Sequence, residues 1–213
     1  MHSALSEVDK DNWDSLVPDD HAFLKYDFLA LLESSGCVSA DRGWIPSHFA
    51  AYSDGRLVGA MPCYRKSHSY GEYIFDWAWA DAYYRNGADY YPKLSNAIPF
   101  TPATGPRLLI CPDVDQQVVL NAIVKHTQVV CEDEGLSGWH SLYIDSKQLA
   151  QFESGTDFLV RHSNQFHWQN ASYNEFDDFL STMSSKKRKN IKRERRRITE
   201  MGVTYRWYSG AEL

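Results

Sequence analysis

The apolar positions fall first into a helical stripe. Phe23, Leu24, Phe28, Leu31 and Leu32 recur three and four apart, with Asp19 or Asp20 placed to cap the helix and Gly36 to stop it. Two apolar-rich runs follow, Trp44 to Tyr52 and Arg56 to Tyr64, on either side of Ser53-Asp54-Gly55, a pattern that predicts a hairpin. Gly59 interrupts the second run and marks a bulge or the close approach of another backbone. From Tyr73 to Trp79 the period changes to two, which predicts a strand with Tyr73, Phe75, Trp77 and Trp79 on one face and Ile74, Asp76 and Ala78 on the other. Arg107 to Cys111 reads as a short strand. A helix opened by Asp113 or Asp115 carries Val118, Val119, Ala122, Ile123, Val129 and Val130 and ends at Gly135. Trp139 to Ile144 predicts a strand, and Phe158 to Arg161 and Phe166 to Trp168 two shorter ones.

The last pattern is the longest. Ser172, with Glu175 three positions on, reads as a capping box opening a helix that runs to Met201 and stops at Gly202. Its stripe is Phe176, Phe179, Leu180, Met183, Ile191, Ile198 and Met201, and at about 1.5 Å per residue it would be roughly 43 Å long, enough to bridge two bodies. Val203 to Tyr208 then begins a strand with nothing after it to pair with, which reads as a truncated protein. Helices and strands in this order predict an α/β (α+β) fold, a mixed sheet with helices packed on it.

Composition narrows the class. With 213 residues, 43% of them hydrophobic, the chain can bury a globular core. It contains no apolar run of membrane-spanning length and opens without a signal peptide, so the expected location is cytoplasmic. Cys37, Cys63, Cys111 and Cys131 form no C-x-x-C pair, so no metal site or redox dithiol is expected. The net charge of −6 conceals an asymmetry: residues 186–197 hold nine basic residues and one acid, against 13 basic and 27 acidic residues elsewhere. Lys186, Lys187, Arg188, Lys189, Lys192, Arg193, Arg195, Arg196 and Arg197 are therefore candidate anion-binding residues, for RNA, another anionic polymer or a membrane surface. The plainer alternative is a solvated face that offsets an acidic body.

Candidate chemistry centres on residues 72–109. A carboxylate flanked by small residues leaves room for a ligand, which makes Asp76 and Asp81 candidate bases or amine-holding groups, with a local cap as the alternative for each. Trp77, Trp79, Tyr83 and Tyr84 would wall a cleft. Pro92, Pro99, Pro102 and Pro106 force a loop in which Thr101, Thr104 and Gly105, beside Lys93 and Arg107, suit an anionic or carbonyl-rich ligand. His167, between Phe166 and Trp168, is a second candidate base, or else a hydrogen-bonded structural residue.

Gly55 to Ala60, His68 to Tyr73, Phe75 to Tyr83, Tyr90 to Leu94, Pro99 to Pro102 with Thr104-Gly105, Gln165 to Trp168 and the basic run 186–197 together resemble a bacterial family. It is the family described as peptidoglycan biosynthesis or recognition proteins, related to the FemAB-type transferases of the GNAT acyltransferase superfamily. The resemblance implies an N-terminal GNAT-like domain over 1–170. Residues 171–213 would then be a basic linking helix and the first strand of a second such domain, missing here and starting near Val203. It also implies N-acyl transfer to an amine, as on a peptidoglycan precursor, with acyl-CoA or aminoacyl-tRNA as co-substrate and tRNA as a partner. The alternative from the residues is a non-catalytic module whose basic helix holds RNA or another anionic partner.

Overall fold

The computed structural model describes residues 1–155 and 158–212. The described chain divides into two compact units, Met1–Leu159 and Val160–Leu213. The first opens with α1 (Lys10–Leu16) and α2 (Tyr26–Ser34). It continues through β1 (Trp44–Pro46), β2 (Phe49–Ser53), β3 (Arg56–Met61) and β4 (Tyr64–Lys66). α3 (Trp77–Arg85), β5 (Lys93–Asn96), β6 (Leu109–Ile110), α4 (Gln116–Asp133), β7 (Trp139–Ser141) and α5 (Ser146–Gly155) complete it. The second unit holds α6 (Phe176–Ser181) and α7 (Ser185–Glu200). The fold is α+β, and no described helix is long and apolar enough to cross a membrane.

The strands form two sheets rather than one. β2, β3 and β6 make an antiparallel three-stranded sheet; β1, β4, β5 and β7 make a four-stranded one, antiparallel except for the parallel β5–β7 pair. Each apolar run of the expected hairpin is split between the sheets: Phe49↔Met61 to Ser53↔Arg56 pair in one, Trp44↔Lys66 to Pro46↔Tyr64 in the other. β3 is buried on both faces. Leu57 and Ala60 join Trp13, Leu16, Leu24 and Leu29 under α1 and α2, while Val58 and Met61 join Leu120, Ile123 and Val124 of α4.

Gly59 marks the expected bulge, and what approaches it closely is the side-chain surface of α4 rather than another backbone. The β2–β3 register shifts beside it, between Ala51 and Tyr52, and a Cβ at Gly59 would lie 2.5 Å from Val119 Cγ1. Gly59→Ala therefore overpacks the β3–α4 contact and is expected to cost about 1–3 kcal/mol, read as a fall in urea midpoint at unchanged m. An unshifted midpoint would mean that α4 yields freely.

Other expectations are corrected. Residues 73–76 are irregular and 77–85 are helical: Ala78, Ala80 and Ala82 favour helix, no β-branched residue opposes it, Arg85 pairs with Asp81 one turn earlier at 3.0 Å, and Gly87 takes φ +71° beyond the end. The helix expected from the Phe23–Leu32 stripe is α2, which starts at Tyr26 with Lys25 and not Asp19 or Asp20 at its N-cap. The long helix is broken at 182–184, where the Ser184 hydroxyl accepts from Lys187 N and so caps a new start; the capping box is Glu175 with Asp178, not Ser172 with Glu175. Residues 158–161, 166–168 and 203–208 form no strand.

Candidate recognition site

The face of the four-stranded sheet places a row of unusual residues in register: Trp44 opposite Lys66, and Lys66 opposite Lys93. Both lysines are fully buried. Buried lysines demand partners, and these come from the connection between β4 and α3. Lys93 Nζ donates to Ser69 Oγ at 3.0 Å, Glu72 Oε2 at 2.9 Å and Asp76 Oδ2 at 2.6 Å, and Tyr90 donates its hydroxyl to the same Asp76 oxygen at 2.7 Å. Lys66 Nζ lies 3.4 Å from the Trp44 ring centroid and donates to the Tyr70 carbonyl at 3.2 Å. Residues 69–76 thus form a strap fastened to the sheet by two lysines.

Burial is the largest effect on the Asp76 carboxyl and pushes it up, but the hydrogen bonds from Lys93, Ser69 and Tyr90 and the Lys93 charge together hold it below its ordinary value. Burial pushes the Tyr90 hydroxyl well up, with Asp76 adding to the rise. Burial, assisted by Lys93 and opposed by Glu72, pushes Lys66 down to about 7.

The strap inverts the usual polarity. Its polar residues Ser69, Glu72 and Asp76 point in, whereas Tyr70 (66% exposed), Tyr73 and Phe75 (75% exposed) point out, continued by Trp77 and Trp79 on α3. Tyr70 and Trp77 pack ring to ring at 5.4 Å. These exposed rings make the strap the candidate recognition surface, because nothing in core formation asks for them to face outward.

The proline-rich loop adjoins this strap. Phe100 N donates to the Gly71 carbonyl at 3.1 Å, and a Cβ on Gly71, at φ +82°, would strike the Phe100 ring. Arg107 clamps the loop from within, its guanidinium donating to the carbonyls of Ala103, Pro106 and Leu142. Burial lowers Arg107 to about 10, opposed by the charges of Asp145 and Tyr143. Gly105 pairs with the chain at Tyr143 and Asp145, Tyr143 donates its hydroxyl to the Tyr73 carbonyl at 2.7 Å, and Thr101 Oγ1 turns onto the Pro99 carbonyl. Thr104 is exposed.

With that geometry in place, the comparison with known families is decisive. The model of the FemAB-like family, described as peptidoglycan biosynthesis/recognition, matches residues 4–213. The chain belongs to this family. No curated protein and no solved structure gives a significant match. Membership ties the chain to peptidoglycan, and the structure sorts the residues singled out in the sequence. Asp76 and Lys93 are paired beneath the strap, Trp77 packs on Tyr70 of the strap, Thr101, Gly105 and Arg107 belong to the loop that adjoins it at Gly71, and Trp79 is exposed on α3. Asp76 is 2% exposed and so lines no open cleft, contrary to the strand-based expectation; it sits at the N-cap position of α3 without capping it. Lys93 and Arg107 are sealed and spend their donors internally. Tyr83 is half-buried against Tyr90, and Asp81 is an exposed helix-surface acid. His167 lies in the second unit, exposed and hydrogen-bonded to Gln165 at 3.1 Å. Sequence reading missed Lys66, Ser69, Glu72 and Tyr90. The Glu72–Asp76 spacing and Lys93 between Tyr90-Tyr91-Pro92 and Leu94 were the available signal.

The nine basic residues of 186–197 lie on α7, which buries none of its side chains. Lys192 pairs with Asp177 at 2.8 Å, Arg196 with Glu200 at 3.4 Å, and Arg195 stacks over Phe176 at 4.3 Å.

Proposed function

We propose that this chain serves N-acyl transfer to an amine of a peptidoglycan precursor, with residues 1–170 as the GNAT-like domain that recognises the precursor and 171–213 as a basic link. Family membership supports the peptidoglycan class, and the observation that carries recognition is the inverted strap, with aromatics out and charges in. Flat rings at Tyr70, Tyr73 and Trp77 suit the apolar faces of sugar rings, and a strap held by two buried lysines loses little freedom on binding. Transfer requires a neutral amine to attack an activated carbonyl, delivered as acyl-CoA or aminoacyl-tRNA. Asp76 serves here as a positioning residue, since one of its oxygens is committed to Lys93 and Tyr90; Asp81 and His167 are the candidate bases with access to solvent.

The test is titration of the chain with purified muropeptides, alongside mass spectrometry of the precursor after incubation with each donor. Tyr70→Ala and Trp77→Ala are expected to weaken muropeptide binding about 10–100-fold each while leaving the melting temperature within a degree or two. Unchanged affinity in both variants removes the strap from recognition. The exposure of α7 favours a second reading, a non-catalytic module holding RNA or another anionic partner.

A further inference from the structure

We infer that the strap holds an uncharged, β-linked N-acetylhexosamine oligosaccharide, and not the phosphates or carboxylates that a peptidoglycan precursor also carries; the inference rests on the reading of the strap as the recognition surface. The cations that fasten the strap and the loop are turned inward. Lys66, Lys93 and Arg107 are fully buried and donate to the Tyr70 carbonyl, to Ser69, Glu72 and Asp76, and to loop carbonyls. From Ser67 to Tyr84 the chain contains no lysine or arginine, and Arg85 pairs with Asp81 at 3.0 Å. Burial and the Lys66 charge hold His68, beside Tyr70, below its ordinary value, so it is neutral above pH 7. What faces outward is ring surface. Ring faces carry the negative side of the aromatic quadrupole, which attracts the C–H faces of sugars and repels phosphate and carboxylate oxygens.

The backbone is built to keep those rings outward. Gly71 at φ +82° and Tyr73 at φ +57° bracket Glu72, so that Glu72 turns in to Lys93 while Tyr73 turns out. Glycine takes such a φ freely, but a tyrosine there is strained, and the Tyr143 hydroxyl fixes it by donating to the Tyr73 carbonyl at 2.7 Å. Packing gives no reason for a strained aromatic residue whose ring is 54% exposed. A ligand that stacks on the ring does. Tyr70 and Trp77, 5.4 Å apart and inclined at 59°, present two ring faces at an angle, which suits neighbouring sugars of one chain better than a single flat base. The tyrosine hydroxyls add polar edges for sugar hydroxyl and acetamido groups.

The experiment titrates the full chain with chitotetraose, which carries neither phosphate nor peptide, beside purified muropeptides, at about pH 7.5 and at about 50 mM and 500 mM salt. The tetraose is expected to bind, with an affinity that changes less than about twofold between the two salt concentrations and is not displaced by excess uridine diphosphate. Tyr70→Ala and Trp77→Ala should each weaken it about tenfold or more. Tyr73→Gly should also weaken it while leaving the melting temperature no lower than that of the wild type, because glycine relieves the strained φ; a ring that served only packing would give the reverse. If muropeptides bind and lose affinity in the Tyr70 and Trp77 variants while the tetraose does not bind, the inference falls and recognition by the strap stands. Binding of the tetraose that salt abolishes or uridine diphosphate displaces also overturns the inference. If both variants bind muropeptides undiminished, or if neither ligand binds the wild type, the reading of the strap falls and takes the inference with it.

Discussion

Lys93→Met is expected to destabilise the chain by about 3–5 kcal/mol at pH 7, because it leaves two buried carboxylates without their counter-charge. Methionine fills the space of the lysine stem, so lost packing contributes little. The carboxylates cannot recover the loss locally. Glu72 Oε1 and Asp76 Oδ1 already have no hydrogen-bond partner in the wild type, and only the Tyr90 and Ser69 hydroxyls then remain to donate to Asp76. The pH dependence distinguishes this cause from a packing defect. In the wild type the folded-state pKa of Asp76 is depressed, so its contribution is present above the unfolded value of 3.8 and lost as pH falls through the lower folded value. In Lys93→Met the Asp76 carboxyl loses the ammonium that holds it down, and burial then pushes it up. The gap between wild type and variant should therefore be widest near pH 7 and close toward pH 4. Adding Glu72→Gln and Asp76→Asn to Lys93→Met should recover part of the loss at pH 7. Urea unfolding at several pH values reads all of this, and a pH-independent gap would assign the cost to packing.

Why the strap escaped a reading by pattern follows from the same chemistry. Alternation of aromatic with small or polar residues from Tyr73 to Trp79 resembles a half-buried strand, yet here the buried positions are Glu72 and Asp76, and the exposed ones are the rings. Periodicity assumes that apolar residues face the core, and it fails where two buried lysines reverse that preference. β5 was invisible for a related reason: Lys93, Ser95 and Asn96 are all buried in it, and none has the character of a strand interior. Where charge does not intrude, local signals sufficed. Asp115 accepts from Gln117 N and Val118 N to open α4, Gly135 takes φ +63° just beyond its end, and Asp54-Gly55 turns the β2–β3 hairpin with positive φ at both residues. α1, with Asp9 as its cap and only Trp13 and Leu16 buried, is too short for its stripe to stand out.

Lys66 carries the opposite expectation to Lys93. Its ammonium is buried with one carbonyl acceptor and the Trp44 face, while Glu72 is already engaged by Lys93. The groups facing it are therefore Trp44 of β1, Lys93 of β5, His68 and Glu72 beside and within the strap, and the Tyr70 carbonyl. Burial outweighs the cation–ring attraction, and the folded pKa falls from 10.5 to about 7. Between those values the unfolded chain holds a proton that the folded chain lacks, so stability rises with pH from about 7, and the relief is lost as pH falls through about 7. Above about pH 9 the Cys63 thiol and the Tyr64 hydroxyl, both pushed well up by burial, act with the opposite sign and cap the rise. Lys66→Met removes the buried charge and should stabilise the chain at pH 6 by on the order of 2–4 kcal/mol after allowance for screening, with the gain fading toward pH 9. Because Lys66 Nζ also fastens Tyr70, the variant should loosen the strap, read as faster hydrogen exchange at residues 69–73 despite a higher global stability. A Lys66→Met chain less stable than the wild type at pH 6 would show that the ring contact and the Tyr70 carbonyl, rather than burial, govern this lysine.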